Sequence, residues 1–70
     1  AMDNNGLLRR TLPAWFRHNV QPLATSKALF IHRNTLEYRL NRISELTGLD
    51  LGNFDDRLLL YVALQLDEQR

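Results

Sequence analysis

Apolar residues recur at helical spacing in several stretches of the chain, most clearly in residues 33–47. There Leu36, Leu40, Ile43 and Thr47 fall on one stripe when successive residues are placed about 100° apart. This pattern predicts an amphipathic helix whose apolar stripe packs against a core. The opposite side of the same helix is polar and consists of Asn34, Glu37, Tyr38 and Asn41, flanked by Thr35 and Arg42.

The polar face of this helix combines amide, phenol, hydroxyl and guanidinium groups. Such groups hydrogen-bond base edges and phosphates in the major groove of DNA. The alternative is an ordinary amphipathic helix with a solvated polar face, which for such a face alone is the commoner case. The preceding segment favours the DNA-binding interpretation.

That segment predicts a short helix over residues 23–29, with Pro22 suited to its first position. Residues 30–32 (Phe-Ile-His) are too apolar for an ordinary loop and predict a tight turn whose side chains fill the space between two helices. A short helix, a turn of about three residues and a longer polar-faced helix are typical of a helix-turn-helix. The turn lacks the glycine often found there.

A first helix is predicted over residues 6–18, where Pro13 interrupts an apolar stripe. Either the helix runs from about Leu7 with a kink, or it begins near Thr11 with Pro13 in its first turn. We favour the kinked helix, because the stripe continues across the proline. The stripe consists of Leu8, Leu12, Trp15 and Phe16.

The third helix should end at Gly48, and a fourth is predicted over residues 54–68 with Asn53 as its N-cap. Leu49 and Leu51, between the two helices, are expected to fold back onto the core. The predicted core stripe of the fourth helix is Leu58, Leu59, Val62, Ala63 and Leu66, and its apolar coverage is widened by Leu60, Tyr61 and Leu64. This breadth has two interpretations of equal weight: a covering partner, or an overlarge stripe on a small domain.

The fold class predicted from these elements is all-α, a small bundle of about four main helices containing a helix-turn-helix. Residues 9–42 hold seven basic residues against one acidic residue, a net +6, whereas residues 43–70 carry a net −4. This asymmetry suits a domain that places one face on a polyanion. The chain has no cysteine and no apolar run near the ~20 residues of a membrane span. No membrane association is expected, and the expected location is the cytoplasm.

Catalysis and cofactors are not expected. His18 and His32 stand in different segments without an obvious carboxylate partner, and they lack the spacing of a helical zinc site. The sequence contains no glycine-rich phosphate loop. The carboxylates cluster near the start of the fourth helix and at the C-terminus, where capping and solubility explain them.

The candidate DNA contacts follow from position, because recognition helices present their N-terminal half to base edges. Arg42 is better placed for a phosphate, and Arg39 is split evenly between a phosphate contact and a structural ion pair. His32 is either a satisfied side chain at a helix start or a contact to a phosphate or base. The candidates for base or adjacent phosphate contact are Arg33, Asn34, Thr35 and Tyr38, and those for the sugar-phosphate backbone are Thr25, Ser26 and Lys27.

Residues 28–36 (ALFIHRNTL), with 38–40 (YRL), 42–43 (RI) and 46–48 (LTG), resemble the C-terminal helix-turn-helix domain of the sugar diacid and purine catabolism regulators. The likeness extends from about residue 7 to residue 66. It departs from the family at Pro13, where an ordinary residue is usual, and at Ser26, where alanine is more frequent. Carried over residue by residue, the resemblance implies a recognition segment made of His32, Arg33, Asn34, Thr35, Tyr38, Arg39 and Arg42.

The resemblance also implies a biological role, that of a bacterial transcriptional activator of glucarate and galactarate utilisation genes. It implies duplex DNA as partner, an upstream effector-sensing domain absent from this chain, and a homodimer in the full-length protein. Residues 1–6 are expected to be a disordered tail or a remnant of recombinant expression, and residues 7–70 the DNA-binding domain. The alternative is a protein-interaction or dimerisation module that docks through the apolar helix at residues 54–68.

Overall fold

Four helices form at the four predicted places in a computed structural model. The structure describes residues 6–68, with the backbone alone at residues 7, 8 and 68. They are α1 (Leu7–Arg17), α2 (Pro22–Leu29), α3 (Arg33–Thr47) and α4 (Phe54–Glu68). The all-α prediction is confirmed. The described residues exclude residues 1–5 of the predicted tail and residues 69–70. The predicted place of the Leu8 side chain in the apolar stripe also lies outside what is described.

Helix α1 runs through Pro13, so the favoured start at Leu7 is confirmed and a start near Thr11 is wrong. Because proline has no N–H, the helix forgoes the hydrogen bond that this position would normally donate one turn back. The helix ends where the backbone turns left-handed at Asn19 and Val20, with φ of 58° and 56°. The Val20 N–H then donates to the Trp15 carbonyl at 2.8 Å, which closes the turn.

The turn between α2 and α3 differs from its prediction. Phe30 adopts a left-handed conformation, with φ 59°, and its side chain is 95% exposed. The Ile31 N–H donates to the Ser26 carbonyl at 3.0 Å, as in a Schellman-type helix end. The expectation that the turn side chains fill the gap between the helices is therefore wrong for Phe30 and for His32, which is also exposed; Ile31 is half-buried.

The core is formed mainly by α1 and α3, as the stripe of α3 predicts. Leu36 and Ile43 are fully buried, and Leu40 and Thr47 are half-buried. Ile43 joins Leu12, Trp15 and Leu60 in one buried cluster. The half-buried residues that pack against this cluster include Leu49 and Leu51, as predicted, with Phe16, Val20, Leu40 and Leu64.

Helix α4 faces the core in a different register from the predicted one. Leu60 is buried and Leu64 is half-buried, whereas Leu58, Leu59, Val62, Ala63 and Leu66 are exposed. The predicted core stripe is thus wrong. A helix that is apolar on most sides offers several stripes of similar quality, so periodicity alone does not select the one that meets Leu12 and Trp15.

The loop before α4 fixes where that helix begins. Gly48 is left-handed, with φ 73°, and ends α3 as predicted. The Asn53 side chain accepts a hydrogen bond from the Asp56 N–H at 3.1 Å, which confirms Asn53 as the N-cap. Asp56 in turn accepts from the Asp50 N–H at 2.8 Å, so this carboxylate has a structural partner.

No helix within residues 6–68 is long and apolar enough to cross a membrane.

Candidate nucleic-acid interface

The first turns of α3 present a continuous set of polar side chains to solvent. Arg33, Asn34, Thr35 and Tyr38 are all exposed, and Tyr38 reaches 68%. Asn34, Thr35 and Tyr38 are exposed because Leu36 is held in the core and fixes the rotation of the helix. Arg33 is exposed as the first residue of α3. The arrangement brings donors and acceptors of several kinds to one surface, the combination needed to hydrogen-bond base edges.

His32 lies immediately before α3 and caps it. Its Nδ1 accepts a hydrogen bond from the Asn34 backbone N–H at 3.0 Å, and the backbone of His32 is extended, as at most N-caps. The interpretation of His32 as a satisfied side chain at a helix start therefore accounts for one ring nitrogen. The residue is nevertheless exposed beside Arg33.

Helix α2 presents fewer of the predicted backbone-contact side chains to solvent than expected. Thr25 and Ser26 are buried, and their hydroxyls donate to the carbonyls of Gln21 at 2.7 Å and Leu23 at 2.8 Å. Burial leaves both hydroxyls inaccessible from outside the protein, which contradicts the prediction that these two side chains hold the sugar-phosphate backbone. The prediction failed because a small hydroxyl side chain can donate to a backbone carbonyl of its own helix, and residue type alone does not indicate this. Lys27 is exposed, and it is the candidate that α2 retains.

Two arginines further along α3 differ in their partners. Arg42 Nη1 is 3.2 Å from Glu45 Oε1, an ion pair between residues one turn apart. Glu45 was not predicted as a partner of Arg42, although the three-residue spacing of opposite charges on a helix was a usable signal. Arg39 is half-buried and makes no ion pair within residues 6–68. Of its two predicted roles, the structural ion pair therefore finds no acidic partner there.

The electrostatics of the surface follow from these placements. Arg33, Arg39 and Arg42 lie along α3, opposed on that helix by Glu37 and Glu45. The aspartates that begin α4 belong to another element, where the helix dipole favours negative charge. Within residues 6–68, no group of three or more His, Asp or Glu side chains is arranged to hold a metal ion. The row of three arginines along α3 is suited to binding a polyanion.

Comparison with known proteins gives a family match and several relatives. Residues 8–66 match the family model described as the PucR C-terminal helix-turn-helix domain. The chain is 97% identical over 69 residues to the carbohydrate diacid regulator of Escherichia coli (strain K12), covering 99% of this chain and 18% of that protein. No solved structure gives a significant match.

Two more distant relatives are transcriptional activators by name. The proline-responsive transcriptional activator PutR of Bacillus subtilis (strain 168) is 38% identical over 90% of this chain and 15% of its own length. The transcriptional activator PmfR of Paenarthrobacter nicotinovorans is 42% identical over 84% of this chain and 13% of its own length. The chain spans less than a fifth of the length of these curated relatives. A family model that covers most of the chain confirms the resemblance, and the chain therefore belongs to the family of PucR C-terminal helix-turn-helix domains.

Proposed function

We propose that this domain binds duplex DNA sequence-specifically by placing α3 in the major groove, as the DNA-binding part of a bacterial transcriptional activator. The observation that carries the proposal is the two-sided character of α3. Leu36 and Ile43 anchor one side in the core. The polar residues Asn34, Thr35 and Tyr38 lie on the other side and are open to solvent, and Arg33 is exposed at the start of the helix. A rigid helix with such a face is how helix-turn-helix proteins reach base edges.

Individual roles follow from chemistry and position. Arg33 suits guanine, Asn34 suits adenine, and the Thr35 methyl group suits the methyl group of thymine. Tyr38 extends the same surface by one turn. The residues proposed to contact the backbone are Lys27, His32, Arg39 and Arg42.

The regulatory context is proposed from the relatives. The near-identical E. coli protein is named for carbohydrate diacids, and most of its length lies outside the matched region. We propose that this domain controls sugar diacid (glucarate and galactarate) utilisation genes from the bacterial cytoplasm, under an effector-sensing domain upstream in the longer protein.

Binding to free DNA is the first test. Fluorescence anisotropy of a labelled random-sequence duplex should show binding that weakens steeply as salt rises, because neutralised phosphates release counterions. Selection from the random pool should then yield a preferred sequence. Failure to bind at low salt, for this domain and for two copies fused in tandem, would overturn the proposal.

Arg33→Ala tests the base-reading surface on the selected sequence. We expect a loss of ~1–3 kcal/mol in binding free energy if Arg33 makes a bidentate base contact. Arg17→Ala is the matched control, because Arg17 is an exposed arginine at the end of α1 and its removal changes net charge equally. An equal loss on all DNA sequences would assign Arg33 to a phosphate.

A second candidate function, protein interaction through α4, is favoured by one specific observation. Phe54, Leu58, Leu59, Val62 and Leu66 are large apolar side chains, each 45–66% exposed. Contiguous apolar exposure of this kind marks interaction surfaces. We propose a second copy of the chain as the occupant, because one recognition helix reads few base pairs and a two-part site needs two domains.

Charge placed on the apolar face of α4 separates the two candidates. Leu59→Glu should abolish cooperative binding to DNA carrying two copies of the selected site and leave binding to one copy unchanged. If the domain is an interaction module only, Arg33→Ala will change nothing, whereas Leu59→Glu will still disrupt association between copies, measured by sedimentation.

A further inference from the structure

The hydrogen bond that caps α3 determines more than the start of the helix. Because His32 Nδ1 accepts the Asn34 N–H, that nitrogen presents a lone pair, and in the neutral ring the proton resides on Nε2. One ring nitrogen is therefore committed to the protein, and the other is a hydrogen-bond donor. Within residues 6–68 the Nε2–H group donates to no protein acceptor.

The capping contact also orients the ring. With Nδ1 turned toward the helix backbone, Nε2 lies on the far side of the imidazole, and His32 is exposed. The free N–H consequently points away from the cap, on an exposed residue that directly precedes α3. A fixed ring orientation reduces the conformational entropy lost when this donor binds a ligand.

We infer that His32 is both the positioning residue of α3 and a direct DNA contact, with Nε2–H donating to a phosphate oxygen at the edge of the groove. The inference rests on the proposed function, in which His32 contacts the DNA backbone, and adds the nitrogen that makes the contact, its tautomer and its second role as the cap of α3. His32 precedes the helical face that runs from Arg33 to Tyr38, so it lies at the margin of the base-reading surface. A phosphate offers only acceptors, which matches an outer edge that offers only a donor.

Two substitutions separate the capping role from the DNA contact. His32→Ser keeps a strong N-cap acceptor and removes the outer N–H. His32→Gln removes the compact cap and keeps an amide N–H at a reach similar to that of Nε2. Stability is measured by urea denaturation, and DNA affinity by anisotropy on the selected duplex and on random duplex.

For His32→Ser we expect an unchanged denaturation midpoint and an affinity lowered about tenfold on both duplexes, the loss of one hydrogen bond to a charged acceptor. The slope of affinity against salt should stay as in the parent protein, because a neutral donor releases no counterion. For His32→Gln we expect a lower midpoint and an affinity between those of the parent and His32→Ser. A purely structural His32 would move affinity and stability together.

Unchanged affinity in His32→Ser, with Arg33→Ala still impaired, would overturn this inference and leave the proposed function intact. A loss confined to one base pair of the selected site would overturn the phosphate assignment. The tautomer is tested without DNA, by the ¹⁵N chemical shifts of the His32 ring in its neutral form. A proton found on Nδ1 would contradict the inference, and a proton on Nε2 would support it.

Discussion

Arg42 and Glu45 form a 3.2 Å ion pair on α3, beside the residues proposed to bind DNA. Their side chains are 42% and 69% exposed, and exposed pairs of this kind are worth under about 1 kcal/mol. Arg42 is thus only weakly held by Glu45, and a phosphate that approaches α3 would compete for the same guanidinium. We therefore expect the pair to place a modest limit on the proposed DNA affinity.

Glu45→Gln should accordingly raise DNA affinity, about two- to fivefold at low salt. The substitution frees Arg42 and removes a negative charge near the polyanion, and the gain should shrink as salt screens both effects. Anisotropy measures the change. In an Arg42→Ala background the gain should fall, and a gain of the same size there would contradict a specific competition between the two residues.

Thr11 is fully buried, and its hydroxyl has no hydrogen-bond partner in the described part of the chain. Thr11→Val replaces this hydroxyl with a methyl group of similar size. We expect stabilisation of about 1 kcal/mol, because a buried unsatisfied polar group costs ~1–3 kcal/mol. Urea denaturation provides the measurement.

The matched control for Thr11 is Thr25→Val. Thr25 is equally buried, but its hydroxyl donates to the Gln21 carbonyl at 2.7 Å, so the same substitution should destabilise. Opposite signs for the two threonines would support the hydrogen-bond argument. Destabilisation by both would mean that the Thr11 hydroxyl is satisfied in solution.

Phe30 combines a left-handed backbone with a side chain that is almost wholly exposed. In this conformation a Cβ costs roughly 1–2 kcal/mol, and glycine avoids the cost. We expect Phe30→Gly to be more stable than Phe30→Ala by about 1 kcal/mol, measured from urea midpoints. The alanine variant keeps the strained Cβ and removes the ring, so equal stability of the two variants would show that no strain is relieved.

Leu59 and Leu60 are neighbours on α4 with opposite environments. Leu60 is 8% exposed within the core cluster, and Leu59 is 57% exposed. Leu60→Ala should cost ~2–5 kcal/mol of unfolding free energy, whereas Leu59→Ala should cost under about 1 kcal/mol in the isolated domain. Thermal or urea denaturation of the pair tests the register of α4, and the reverse order would restore the stripe predicted from sequence.

The sequence was most informative at α3, where polar and apolar positions separate cleanly around one helix. Periodicity alone assigned Leu36 and Ile43 to the core, and it assigned Asn34, Glu37, Tyr38 and Asn41 to the opposite side, flanked by Thr35 and Arg42. Arg33 was predicted from its position at the start of the helix. The ends of the helices also followed from local chemistry. Pro22 begins α2, Gly48 ends α3 and Asn53 caps α4, because each depends on the backbone preferences or hydrogen bonds of a few neighbouring residues.

Tertiary packing decided what local pattern left open. Helix α4 is apolar on most sides, and only its docking against Leu12 and Trp15 selected Leu60 over Leu59 as the inward residue. Thr25 and Ser26 have suitable chemistry for a phosphate, but their burial and the carbonyls that they reach depend on how α2 packs. The exposure of Phe30 likewise depends on the left-handed turn that joins two packed helices. Where a helix is apolar on most sides, as α4 is, periodicity indicates only that the helix has a buried side, and the packing of the other helices determines which side that is.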